Sequence, residues 1–298
     1  MKQEYFYALA EYLQSILEGS EIYTMYLMAE SSDFIRFNKA LIRQPGSVLQ
    51  GNLNIRLIQG KRHSSVSLSL LGDQKQDQAL IQKNLEDLRA QMPYLPEDPH
   101  LLINEVVQST ESIEENHLGD SEQMVEDILS EGKGTDLVGI LATGSMYIGF
   151  ANSFGQRNWF VTHSCNFDWS LVYSADKAVK SGYAGKTWSK EIFSQKMTSA
   201  KAQLEALARP SITLDPGEYR ALLSPVALDE ILGLLSWHGF GIASHRSKTT
   251  PLLHLLNQEK ELSPLFSLAE DVKGGTAPAF SADGFIRPDR VELIQNGQ

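Results

Sequence analysis

One cysteine, Cys165, stands alone in 298 residues. With no second thiol there is no internal disulfide, and the chain fits a reducing compartment, with the cytoplasm as the expectation. Long apolar runs are missing too: none approaches the roughly 20 residues that a membrane-spanning helix needs. Met1, Lys2, Gln3, Glu4 and Tyr5 open a mixed helix rather than the apolar core of a secretory signal. Basic residues vanish between Arg89 and Lys133, while 11 acids fall from Glu97 to Glu131. That segment carries the whole formal charge of −11, and the rest of the chain is close to neutral. An acidic surface repels phosphates, so direct nucleic-acid binding is not expected. The segment reads as a solvated acidic face around a short helix, able to attract a basic peptide.

Several catalytic patterns are also absent. A zincin needs two histidines four residues apart on one helix, with a glutamate beside them. The seven histidines, at 63, 100, 117, 163, 238, 245 and 254, contain no such pair. His163 and Cys165 would share one strand face, but no third ligand accompanies them. Gly185, Lys186 and Thr187 end like a phosphate-binding loop, yet the pattern needs glycine where Lys180 stands. Lys273, Gly274, Gly275 and Thr276 read as a flexible loop. Ala151, Asn152, Ser153, Phe154 and Gly155 differ from a nucleophile elbow only at the first position. An elbow joins a strand to a helix, whereas this stretch returns into a strand and makes a better hairpin turn. Ser153 is therefore an alternative nucleophile rather than the main reading.

What is present is a chain with 42% hydrophobic and 21% charged residues, long enough for two domains. A helix over 3–18 places Phe6, Leu9, Leu13, Ile16 and Leu17 on one face. Strand-like runs follow at 22–28, 33–37, 48–59 and 63–71, then a helix over 74–91 and a proline-rich connection. Asp120 and Gln123 are placed to form a capping box for a helix near 121–131. Residues 135–186 form a β-rich block, read as five short antiparallel strands at 138–142, 146–151, 159–163, 168–173 and 178–184. Ser189 caps a helix to 208, and Arg209 with Pro210 is the domain boundary. Asp215, Pro216 and Gly217 read as a turn between two short strands. The stretch 224–238 then reads as one buried helix. Ser224 is its cap, Pro225 its first residue, and Asp229, Gly233 and Ser236 form a narrow polar stripe on an otherwise apolar surface. A short helix near 251–257 and a loop-rich tail complete the chain.

Several stretches, taken together, resemble the TldD/PmbA family and its PmbA (TldE) branch. Residues 31–44, with Ser32, Arg36, Phe37, Ile42 and Gln44, are similar to the family's "S-x-x-x-R-F-x-x-x-x-I-x-Q" strand pair. Ala151 to Gly155 resembles its "A-N-S-x-G" hairpin. Asp215 to Pro225 resembles "L-x-P-G-x-Y-x-V-x-x-x-P", Phe280 to Gly284 its "F-D-x-E-G", and Leu293 to Gly297 its "L-I-x-N-G". Asp283 stands where the family has glutamate. The family also continues far beyond the last motif, so the resemblance implies a shortened or divergent member with an incomplete second domain.

The resemblance implies an α+β fold: an N-terminal α/β domain with an antiparallel sheet over 1–209, then the start of a β-rich second domain over 210–298. It implies a cytoplasmic protease assembly that degrades or matures unfolded peptides. In that assembly a TldD-like subunit holds zinc through a His-Glu-x-x-x-His helix. The helix from Pro225 to Trp237 occupies the corresponding region in that resemblance and has neither histidine nor a paired metal-binding carboxylate. The expectation is thus a metal-free accessory subunit, with no catalytic or metal residues of its own, zinc in a TldD-type partner, unfolded peptide as substrate, and a homodimer as the other assembly. The competing expectations are a non-catalytic binding or scaffold module, and a serine hydrolase using Ser153.

Overall fold

The computed structural model describes residues 1–298. The chain divides into two compact units, Met1–Ser211 with Phe280–Ile286, and Ile212–Ala279 with Arg287–Gln298.

In the first unit, helix α1 (Gln3–Ser15) is followed by the long strands β1 (Ile22–Asn38), β2 (Leu41–Gln59) and β3 (Arg62–Ser69). Helix α2 (Gln74–Gln91), a single 3₁₀ turn and the short strand β4 (Thr110–Ile113) come next. Helix α3 (Ser121–Gly132), strands β5 (Asp136–Asn152), β6 (Arg157–Ser174) and β7 (Lys177–Gly185), and helix α4 (Lys190–Leu207) complete the run. One sheet holds all of these strands in the order β3-β2-β1-β5-β6, with β4 and β7 both pairing with β6. Every pairing is antiparallel except β4 with β6.

Alternation fixes which face is covered. In β1, Tyr23, Met25, Leu27, Ala29, Ile35 and Phe37 are buried while their neighbours are not. Helices α1 and α2 cover one half of that face, packing Phe6, Leu9, Leu13, Ile81, Leu85 and Leu88 against Met25, Leu27, Ile55 and Trp159. Gly149 lies under the Phe6 ring, where a Cβ would come within 2.8 Å of Phe6 Cε1. Helices α3 and α4 cover the other half through Met124, Ile128, Phe193 and Met197, against Leu137, Leu141, Phe167 and Trp169. Trimming one of these buried aromatic or aliphatic side chains to alanine costs about 2–5 kcal/mol.

Buried ion pairs anchor the helices. The Arg89 guanidinium on α2 binds both Glu21 oxygens at 2.8 Å and donates to the Ile16 carbonyl at 2.6 Å, closing the end of α1. Burial pushes the Glu21 carboxyl up, but Arg89 and the Glu18 backbone outweigh it and hold the group below its ordinary value. Asp127 on α3 accepts from Trp188 Nε1 at 3.0 Å and pairs with Lys190 Nζ at 2.9 Å, joining α3 to the start of α4.

The second unit contains helices α5 (Pro225–Ser236), α6 (Ile242–Arg246) and α7 (Leu253–Leu256), and one antiparallel pair, β8 (Leu268–Asp271) with β9 (Arg290–Ile294). None of the three buried apolar clusters includes one of its residues.

Six sequence expectations change. The five short strands of 135–186 are three long ones, and the runs at 22–28 and 33–37 are one strand. Gly144, Ser145, Ser164 and Asn166 sit on continuous ladders instead of breaking them, whereas Ser153 and Gly155 form the expected β5–β6 turn. No strand flanks Asp215 to Gly217, and the expected β-rich second domain contributes only one two-stranded pair. At α3, Asp120 accepts from Glu122 N at 3.0 Å, but Gln123 turns away to Asp127, so the capping box is half made. Finally, α5 has the expected cap, Ser224 Oγ accepting from Ala227 N at 3.3 Å, yet it buries no residue. An all-round apolar helix is buried only where other elements reach it, and in this unit none encloses it.

Candidate functional site

The polar residues that interrupt the strands fall on neighbouring rungs of the sheet. Ser31 of β1 lies opposite Ser145 of β5, which lies opposite His163 of β6. These side chains form a polar seam on the helix-covered face, between the area under α1 and α2 and the area under α3 and α4. An open hollow of about 420 Å³ lies over it, lined by Ser31, Asp33, Ser47, Ser145 and the start of α3 at Gly119 to Ser121.

The seam holds a connected set of hydrogen-bonding side chains. Ser145 Oγ lies 2.8 Å from His163 Nδ1, and His163 Nε2 lies 3.1 Å from the Glu114 carbonyl oxygen. A carbonyl can only accept, so Nε2 donates to Glu114 and the ring is held with Nδ1 facing the Ser145 hydroxyl. The Glu114 carboxylate accepts from Thr162 Oγ1 at 2.8 Å and from Lys186. Burial raises its proton affinity, but Lys186 and Thr162 outweigh that and hold the carboxyl below its ordinary value. A hydroxyl bonded to an imidazole that is oriented through its other ring nitrogen is an arrangement used in nucleophile activation. Sequence reading missed Ser145 and Glu114, because their relation to His163 exists only across the ladder; the clustered polar interruptions were the available signal.

The residues singled out by sequence have other roles. Ser153 closes the β5–β6 hairpin: its Oγ accepts from Tyr23 N at 2.8 Å, and its own N–H donates to the Tyr23 carbonyl at 3.2 Å. The hollow beside it, lined by Glu11, Gln14, Tyr23 and Arg157 among others, contains no imidazole. Asn152 accepts from Phe154 N at 3.1 Å and Gln156 N at 3.0 Å, which shapes the turn. Around it, Asn104, Gln156 and Asn158 form a buried amide network, and the Gly284 carbonyl accepts from Asn104 Nδ2 and Gln156 Nε2, each at 2.7 Å. Gly284 has φ of 80° and rests against the Phe150 ring, so both its backbone angle and its lack of a Cβ are required.

His163 and Cys165 do share one face of β6, but Cys165 Sγ points to the Thr187 carbonyl at 3.9 Å. Burial pushes its thiol above the ordinary value, which disfavours the thiolate that metals and electrophiles need. No group of three or more His, Cys, Asp or Glu side chains is arranged to hold a metal ion. Lys186 pairs with Glu114 rather than lining a phosphate loop, and Gly274 of the 273–276 loop donates to Asp271 at 2.9 Å. His245 Nε2 bonds the Gly239 carbonyl at 2.6 Å. On α5 the side chains of Val226, Ile231, Leu234 and the following Trp237 are exposed, Trp237 at 78%.

No protein-family model matches the sequence, and no curated protein matches it. Solved structures do. A candidate modulator of DNA gyrase from Bacteroides thetaiotaomicron superposes with a TM-score of 0.69 over 98% of this chain and 69% of its own, at 16% identity. A second candidate modulator, from Thermotoga maritima, gives 0.68 at 11% identity, with the same coverage of both chains. TldE from Thermococcus kodakarensis gives 0.66 at 13% identity, over 98% of this chain and 68% of its own. The chain has the α+β fold of TldE and its relatives. The resemblance read from the scattered motifs is thus matched by a likeness of fold along nearly the whole chain. The TldE-like fold also accounts for those motifs locally: the "A-N-S-x-G" turn and the glycine of "F-D-x-E-G" meet in one amide network.

Proposed function

We propose that this chain is a TldE-type accessory subunit, without a metal of its own, that pairs with a TldD-like metalloprotease subunit acting on unfolded peptides. The observation that carries the reading is helix α5. The resemblance assigns it to the region of the family's metal-bearing helix; it has no histidine between Pro225 and Ser236, and it turns Val226, Ile231 and Leu234 to solvent. The TldE-like fold supports the same reading. Apolar side chains this exposed favour association, because their burial contributes about 25 cal/mol per Å². The test is co-elution with a TldD-type protein on a sizing column. Co-elution that is lost in Leu234→Glu with Trp237→Glu supports pairing through α5. Separate elution of the two wild-type chains contradicts it.

A hydrolytic reading has one observation in its favour, and it lies at Ser145 rather than Ser153: the bond to an imidazole oriented through its other ring nitrogen. A fluorophosphonate probe separates the two. Labelling of Ser145 that disappears in His163→Ala supports hydrolysis, and no labelling removes it.

A further inference from the structure

The face of the sheet opposite the helices is covered at one end only, where Phe280–Ile286 packs Phe280 on Phe150 and Phe160. The other end is bare. On it, strand alternation places Phe34, Arg36 and Asn38 of β1, Val138 and Ile140 of β5, Asn166 and Asp168 of β6, and Lys180 of β7. Phe34, Val138 and Ile140 are 37%, 42% and 45% exposed. Most of these residues line an open hollow of about 640 Å³, joined by Arg43 of β2. Arg43 reaches it through a bulge: Arg36 pairs with Gln44 and Phe37 with Ile42, so Arg43 has no partner across the ladder.

The charge pattern here is the reverse of the chain's. Arg36, Arg43 and Lys180 form no ion pair, although the protein as a whole carries −11. Arg36 and Arg43 stand on one side of the hollow and Lys180 on the other. Arg36 on β1 is three strand spacings from Lys180 on β7, about 14 Å at about 4.8 Å each, and Arg43 on β2 is one spacing farther, about 19 Å. Between them lie the apolar Val138 and Ile140 and a single acid, Asp168, which accepts from Asn166 Nδ2 at 3.1 Å.

We infer that this bare face binds an extended acidic peptide, with two carboxylates roughly three to five residues apart and apolar side chains between them. One small anion cannot bridge both cationic sides, whereas an extended chain rising about 3.3 Å per residue can. Apolar side chains on the peptide would cover Val138 and Ile140. Asp168 would repel an acid at the centre, so the pattern is acidic, apolar, acidic. A nucleic acid fits less well, because its continuous phosphates would meet the acidic remainder of the chain. The inference does not need the partner proposed above, so its failure leaves that pairing intact.

The test is fluorescence anisotropy on the full chain with a labelled nine-residue peptide bearing Glu at positions 3 and 7 and Val or Ala between. The Gln-for-Glu peptide, a peptide with a third Glu at position 5, and a single-stranded ten-nucleotide DNA serve as comparisons. Exposed ion pairs are individually weak, so Arg36→Gln with Arg43→Gln and Lys180→Gln together are expected to weaken binding about tenfold, and each alone about twofold. Lys196→Gln, on exposed α4 surface, is expected to change nothing. Asp168→Asn is expected to restore binding of the three-Glu peptide. These exposed side chains leave the core intact, and an unchanged thermal melt checks that. Equal binding of the Gln peptide, an unaffected triple variant, or tighter binding of the DNA would overturn the inference.

Discussion

Buried carboxylates set the pH dependence of stability. For Asp127, burial pushes the carboxyl up, but the hydrogen bond from Lys190 leads the interactions that hold it below its ordinary value. The same sign applies to Glu21 and Glu114. A carboxyl whose folded pKa is depressed adds stability above its unfolded pKa, near 4, and loses that contribution as pH falls through the folded value. Stability is therefore expected to hold from neutral pH down to about 5 and to drop below about 4. Asp127→Asn keeps the shape but removes the charge, and is expected to cost about 1–3 kcal/mol at neutral pH. Thermal melts of both proteins from pH 3 to 7 check this: the gap should close at the acid end. A gap that does not narrow as the pH falls would mean that the charge of Asp127 contributes little.

Elements differ in how far their sequence determined them. The caps at Ser189 and Ser224 are local chemistry, and both side chains accept a backbone N–H of their helix's first turn, as Asp73 does for α2. The helix face carrying Phe6, Leu9 and Leu13 was legible from its own periodicity. Strand lengths were not. Ser31, Gly144, Ser145 and Ser164 resemble loop residues in one dimension, and only the neighbouring strands show them to be the polar rungs of a continuous ladder. The burial of α5 was misjudged for a related reason, since a helix's own periodicity does not contain its neighbours. That correction is testable. Leu234→Ala in a core would cost about 2–5 kcal/mol, but at an exposed site it is expected to cost under about 0.5 kcal/mol in a denaturant titration. Gly284→Ala is the counterpart in the first unit. Its positive φ and its contact with Phe150 predict a loss of about 1–3 kcal/mol and faster proteolysis within Phe280–Ile286. Unchanged cleavage there would show that the amide network does not depend on that turn.

At the scale of the whole molecule, the candidate site was legible only in part. The absent zinc pair could be read from seven histidines, but the Ser145–His163 pair and the cationic face both depend on register across the sheet. Under the proposed function, a chain with a TldE-like fold and a helix whose apolar side chains turn to solvent is expected to work through another subunit. The most direct measurement is zinc content and hydrolysis of an unfolded reporter peptide, for this chain, for a TldD-type protein and for their mixture. The account predicts no zinc equivalent and no cleavage for this chain alone, and zinc-dependent cleavage that requires the mixture. One equivalent of zinc held by this chain, or chelator-sensitive cleavage by it alone, would contradict the account.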